Sequence, residues 1–172
     1  MVTRIERTSK YKLIVDSAWH HKYWNFITVE NPDKPWNWFW ISCNPNITMD
    51  IIKENPDKPW NWDYISMNPN LTMEFIKENL HKQWNWYEIS KNPNLTMDII
   101  NNVDAPWEWY EISRNPNITS DIIKENIDKP WSWHGISRHP NLTMKYIKEN
   151  PDKPWDWDWI SWNPNITMKD IR

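Results

Sequence analysis

One hydropathic phrase runs along most of this chain. A Trp-x-Trp pair leads to a variable pair of residues, an Ile-Ser step, an Asn-Pro-Asn turn and a Thr. An acidic-aliphatic-aliphatic run follows, and the phrase begins again. The stretch "NPDKPWNWDYISMNPNLT", residues 55–72, is typical. The pairs start at Trp36, Trp60, Trp84, Trp107, Trp131 and Trp155, spaced by 24, 24, 23, 24 and 24 residues. The Ile-Ser steps start at Ile41, Ile65, Ile89, Ile112, Ile136 and Ile160. A second aliphatic position falls at Ile52, Ile76, Ile100, Ile123, Ile147 and Ile171. A steady period of this length is the mark of a repeat array, in which each unit buries its apolar face against its neighbours.

The pattern predicts two short helices per unit. The first would open at Asp33 as N-cap, carry Pro35 in its first turn, and stop near Asn44, before Pro45. The second would be capped by Thr48, with Asp50 against the helix dipole, and would stop at Asn55 in the left-handed conformation. Helices of two to three turns do not stand alone in water, so neighbouring repeats must hold them. Trp36 and Trp38 would then project about 200° apart on one helix. The pairs Trp36 and Trp38, Trp60 and Trp62, Trp84 and Trp86, Trp107 and Trp109, Trp131 and Trp133, and Trp155 and Trp157 are therefore read as structural joints, one ring towards each neighbour. Trp38, Ile41 and Ser42 share a face, and the small Ser lets helices approach closely. The competing reading takes "WNWFWIS", which alternates with period two, as a strand in a β/α horseshoe like that of leucine-rich repeats. The alternation is lost in "WEWYEIS" and "WSWHGIS", and Asp-Lys-Pro is a helix-start signal, so helices are favoured.

The expected fold is all-α: an α-solenoid of short helix pairs, of either α or 3₁₀ kind, with six full 24-residue repeats and terminal caps. Residues 1–30 are a degenerate N-terminal cap, with a helix around Ser9–His21 and a second ending at Asn31. Residues 31–172 form the repeat solenoid, closed by a C-terminal cap at 164–172. There Asp170 takes the position held by Ile51, Phe75, Ile99, Ile122 and Tyr146.

The stretch "ISMNPNLTMEFIKEN", residues 65–79, resembles the leucine-rich-variant repeat of bacteria, which implies α-helices alternating with 3₁₀ helices and no sheet. With "DKPWNW" and "NPNIT" as the recurring phrases, the chain is also similar to tryptophan-rich repeat proteins of giant DNA viruses. The resemblance covers about residues 31–172 and speaks to fold, not to function. The iron–sulfur association of the bacterial family does not carry over, because its cysteine cluster is missing here.

Composition narrows the function classes. Seventeen Trp and a single Gly leave Gly135 alone for any glycine-rich phosphate loop. The one cysteine, Cys43, makes neither an internal disulfide nor a cysteine metal cluster. No window is apolar enough to span a bilayer, and no signal peptide is visible, so a cytoplasmic place is expected, host cytoplasm or virion if the chain is viral. Net charge is −3; with residues 1–30 set aside, fifteen basic and twenty acidic side chains remain. A mildly acidic repeat body argues against nucleic acid as a partner.

Several periodic residue sets are read as structural. The sequons at Asn46, Asn70, Asn94, Asn117, Asn141 and Asn165 fit turns and helix starts. The ladder of Asn44, Asn68, Asn92, Asn115, His139 and Asn163 fits the bend before proline, where His139 still offers one donor and one acceptor. His20, His21, His81, His134 and His139 lack metal-ligand spacing. No catalytic constellation is visible, so the expectation is no enzyme and no cofactor.

The variable positions carry the functional candidates. The second residue of each variable pair and the residue after Ile-Ser lie three apart, on one helix face. Stacked, they give a candidate recognition stripe: Trp40 with Cys43, Tyr64 with Met67, Glu88 with Lys91, Glu111 with Arg114, Gly135 with Arg138, and Trp159 with Trp162. A solvated face drifting without function is the competing account. The functional expectation is a non-enzymatic scaffold for protein–protein interaction, its partner another protein or itself. The alternatives are a self-assembling structural protein and a single-stranded nucleic-acid binder that uses the aromatics as stacking platforms.

Overall fold

The computed structural model describes residues 18–166. The chain is an all-α repeat solenoid, and among the described residues there is no strand, which removes the horseshoe. It divides into two compact units, 1–75 and 76–172. The first holds α1 (18–25), a π-helical turn at Phe26–Glu30, α2 (Trp38–Ser42), α3 (Met49–Glu54) and α4 (Trp62–Ile65). The division falls inside α5 (Met73–Glu78). The second unit holds α6 (Trp86–Lys91), α7 (Met97–Asn102), α8 (Trp109–Ile112), α9 (Ser120–Glu125), α10 (Trp133–Ser137), α11 (Met144–Glu149) and α12 (Trp157–Trp162). In the first unit α4 lies against α2; in the second, α8 lies against α6 and α10, and α12 against α10.

The first helix of each repeat is shorter than its sequence suggests. It opens at Trp38, not Asp33, because Asn37 caps it: the Asn37 carboxamide accepts the Phe39 and Trp40 N–H groups at 3.0 and 3.4 Å. Asn61, Asn85, Ser132 and Asp156 cap in the same way. The residue between the two tryptophans is thus the N-cap. Trp36 and Trp38 do not share a helix: the first Trp sits on the extended lead-in and the second opens the helix. These helices have four to six residues, one to two turns instead of two to three.

The second helix opens as its sequence predicts. Thr48, Thr119 and Thr143 cap it through their hydroxyls. Its stop differs in kind. Asn55 has φ −131°, outside the left-handed region, and its side chain donates to the Ile51 carbonyl at 2.8 Å. Its backbone carbonyl meanwhile receives the Trp60 indole N–H at 2.8 Å. The same indole bond ties Trp36 to Asn31, Trp84 to Asn79, Trp107 to Val103, Trp131 to Asn126 and Trp155 to Asn150. In the 23-residue repeat the missing residue is absorbed between Val103 and Trp107, so the bond survives.

Three ladders join successive repeats. The second Trp of one repeat meets the first Trp of the next edge to face: Trp38 with Trp60 at 5.3 Å, Trp86 with Trp107 at 5.0 Å, Trp109 with Trp131 at 5.2 Å and Trp133 with Trp155 at 5.1 Å. The serine works in both directions. Ser137 donates to the Trp133 carbonyl at 2.8 Å and accepts the Asp156 N–H at 2.9 Å; Ser42 and Ser113 do the same. The third ladder is polar and buried. Asn68 accepts the Asn70 N–H and donates to the carbonyls of Ser42, Asn44 and Ile47 in the repeat before. Asn115 reaches Asn92, and Asn163 reaches His139. His139 fits the ladder because Nδ1 accepts from the Asn141 N–H and Nε2 donates to the Asn115 carbonyl.

The apolar core follows these ladders. Ile41, Ile47, Ile52, Ile65 and Leu71 fill the first unit; Ile89, Leu95, Ile112, Ile118, Ile136 and Leu142 are among those that fill the second. Residues 18–30 form one continuous helical stretch, so the break expected after His21 is absent. Trp24 packs on Trp60 at 5.7 Å, and the Tyr23 hydroxyl accepts from Asn44, which places this stretch where a preceding repeat would stand. The start of the expected Ser9–His21 helix and the Asp170 substitution lie outside the described residues.

Candidate functional site

The candidate stripe is built by the first helices. In the first unit Trp40 is 63% exposed and Met67 51%. Tyr64 packs edge to face on Trp40 at 5.6 Å and stacks on Phe39 at 5.5 Å. Cys43 points its thiol at the Trp40 carbonyl, and partial burial pushes its pKa up.

In the second unit the three-residue spacing brings Glu88 to Lys91 at 3.0 Å and Glu111 to Arg114 at 3.6 Å. The hydrogen bond that Lys91 donates to the Glu88 carboxylate raises the Lys91 pKa. Each cation also covers an aromatic ring: Lys91 lies over Tyr87 at 4.9 Å and Arg114 over Tyr110 at 5.3 Å. These ion pairs are surface pairs and add little to stability.

Arg138 is the most developed contact. Its guanidinium lies over Trp159 at 3.7 Å and donates to the Tyr110 hydroxyl at 2.7 Å. No carboxylate among the described residues lies within ion-pair reach of it. His134 stacks on Tyr110 at 5.7 Å, and its Nδ1 meets Asp156 at 2.5 Å. Trp159 packs edge to face on Trp162, which is 77% exposed. The result is a continuous surface of rings and guanidinium in which Tyr110, His134, Arg138 and Trp159 each touch at least two of the others, with Trp162 at its exposed edge.

The stripe is not the uniform solvent face its spacing implies. Gly135 is buried; a Cβ there would stand 2.9 Å from Ser113 Cβ and from the Tyr110 carbonyl, so close helix approach fixes that residue. Conversely, Phe39, Tyr87, Tyr110 and His134 join the surface although the sequence reading kept only their following neighbours. Their signal was visible as a run of mostly aromatic residues at the first variable position.

The structural tryptophans stand apart from this surface. Trp60, Trp84, Trp131 and Trp155 are 7–8% exposed, and Trp38, Trp62, Trp86, Trp109 and Trp133 are half-buried; Trp157 alone of the second tryptophans is exposed. The outer asparagines are spent on the array as well. Asn70 donates to the Pro45 carbonyl, Asn117 to Pro93, Asn141 to Pro116 and Asn165 to Pro140. Among the described residues there is no cluster of three or more His, Cys, Asp or Glu side chains able to hold a metal ion, and no helix long and apolar enough to cross a membrane. The chain matches no family model, no curated protein and no solved structure.

Proposed function

We propose that this protein is a non-enzymatic scaffold that binds a protein partner through the variable stripe. The Arg138 guanidinium, between Trp159 and Tyr110 with no carboxylate among the described residues in ion-pair reach, carries this reading. Tryptophan, tyrosine and arginine are the residues that dominate protein interfaces, and a cation held flat on a ring is already ordered before a partner arrives. Such a site suits a segment that brings a carboxylate to Arg138 and an apolar side chain to Trp162.

The test is partner capture on immobilised protein, compared with a variant in which Tyr64, Met67, Arg114 and Trp162 are all changed to Ser. The variant should keep its circular dichroism spectrum and bind the captured partner at least tenfold more weakly. Capture that is unchanged in a folded variant overturns the reading. Expected partners are proteins; saturable binding of an unstructured oligonucleotide at moderate salt would favour the nucleic-acid alternative instead.

A further inference from the structure

Lysines of the second helices reach one fixed place on the repeat that follows. Lys53 of α3 lies over the Phe75 ring at 5.7 Å, 22 residues on. Lys77 of α5 pairs with Asp98 at 2.6 Å, 21 residues on. Lys124 of α9 pairs with Glu149 at 3.0 Å, 25 residues on, and lies over the Tyr146 ring at 5.5 Å. The wall that receives each lysine is thus drawn from the same three positions of the next second helix. In α3 those positions are Asp50, Ile51 and Glu54. The residue in register to supply a lysine to them is Val29, which is uncharged and 69% exposed.

A cleft of about 320 Å³ opens on this wall, between His20 and His21 of α1 and Thr48, Asp50, Ile51 and Glu54. No lysine or arginine lines it. Neither Asp50 nor Glu54 has an ion pair among the described residues. The nearby cations are spent elsewhere, Lys53 on Phe75 and Lys22 over Trp19 at 5.5 Å. The chain itself holds a lysine within reach. Residues 1–17 join α1 at Ala18, two residues before His20, and carry Arg4, Arg7, Lys10 and Lys12 against Glu6 and Asp16. Lys12 and Lys10 precede His20 by eight and ten residues, a span of at most about 35 Å. A group tethered at that range is present at roughly millimolar effective concentration, so a lysine from another molecule competes poorly.

We propose that the cleft between α1 and α3 is a site for a lysine ammonium, and that Lys12 or Lys10 of the same chain fills it between Asp50 and Glu54. The contact does for the first repeat what Lys124 does for Glu149 and Tyr146, with a lysine from outside the register. An ammonium fits better than a guanidinium, because lysine is what each of the three later walls receives. As a surface ion pair it fixes where the segment lies and adds little to stability. The inference goes beyond the scaffold reading and shares no residue with the stripe, so the two fail separately.

The experiment is zero-length carbodiimide coupling of the 172-residue chain, mapped by mass spectrometry. The reagent joins a lysine amine to a carboxylate where the two meet as an ion pair. The known pair of Lys77 with Asp98 is the internal standard. Coupling of Lys12 or Lys10 to Asp50 or Glu54 should exceed their coupling to any other carboxylate beyond residue 17 at least fivefold. Asp50→Asn with Glu54→Gln, both at exposed positions, should abolish it and leave Lys77 coupled to Asp98. Exchanging the charges, with Lys10→Glu, Lys12→Glu, Asp50→Lys and Glu54→Lys together, should restore coupling between the same positions. If that chain does not fold, the Asn and Gln variant carries the arm. No coupling at the cleft, or coupling spread evenly over exposed carboxylates, overturns the proposal. So does coupling of the cleft to Lys22 instead. So does coupling that forms only between isotopically light and heavy chains, which would mean that the lysine comes from another molecule.

Discussion

Replacing Asn68 by Leu keeps the branched shape of a fully buried side chain and deletes its polar work. Four hydrogen bonds are lost: the one accepted from Asn70, and those donated to Ser42, Asn44 and Ile47. The losses are unequal. The Asn44 carbonyl keeps the Ile47 N–H, and the Ile47 carbonyl keeps the Asn70 carboxamide. The Asn70 N–H lies on a half-exposed residue that water can reach. The Ser42 carbonyl, on a fully buried residue, is left with the main deficit. One buried orphan at about 1–3 kcal/mol, plus the net worth of the other three bonds at about 0.5–1 kcal/mol each, gives about 2.5–6 kcal/mol. Asn68→His should cost under about 1 kcal/mol, since His139 already does this work in the same array with an acceptor at Nδ1 and a donor at Nε2. Asn68→Asp should exceed the Leu variant, because a carboxylate would face three carbonyls. Urea unfolding followed by circular dichroism, with the slope held constant, reads all three. A Leu variant that loses less than 1 kcal/mol, or a His variant as costly as Leu, would refute the ladder as a source of stability.

Trp133→Ala removes a half-buried ring held by Lys153 and Trp155 and should cost about 3 kcal/mol by urea unfolding, the low end for a large aromatic. Gly135→Ala should cost about 1–3 kcal/mol, because its Cβ would press on Ser113 and Tyr110; an unchanged midpoint would show that the helices can separate freely. Burial lowers the His139 pKa, only partly offset by its bond to Asn115. The folded chain therefore prefers the neutral ring. Its contribution is complete above the unfolded value of about 6.5 and is lost as pH falls through the lower folded value. Urea midpoints at pH 7 and pH 5 should differ more in the parent than in His139→Asn, and equal differences would contradict this.

Much of the fold was legible because the period itself constrains it. Thr48, Thr72, Thr119 and Thr143 cap where the sequence places them, and the Ile-Ser face is buried through the first five repeats as its spacing requires. The first helix was misplaced because two start signals compete: Asp33-Lys34-Pro35 reads as a helix entry, yet the asparagine inside Trp36-Asn37-Trp38 wins the cap. That single shift put Trp36 on the extended lead-in, where its indole can tie back to Asn31. Ile47, Leu71, Leu95, Ile118 and Leu142 were seen only as parts of sequons, although they are core residues. Their burial depends on the Asn-Pro-Asn turn pointing inward, which helical periodicity does not reveal. In the stripe, the pairing of Glu88 with Lys91 and of Glu111 with Arg114 followed from spacing. The contacts of Arg138 with Tyr110 and Trp159 cross repeats, so they depended on the stacking geometry.

The central claim is that the Trp pairs are joints, so that Trp60, Trp84, Trp131 and Trp155 are shielded from solvent while Trp19, Trp40, Trp157 and Trp162 are exposed. Oxidative footprinting read by mass spectrometry, on chain dilute enough to be monomeric, tests this ring by ring. Trp19, Trp40, Trp157 and Trp162 should react fast, whereas Trp60, Trp84, Trp131 and Trp155 should stay protected until urea unfolds the chain. Reaction of Trp131 at the rate of Trp157 in native buffer would contradict the account.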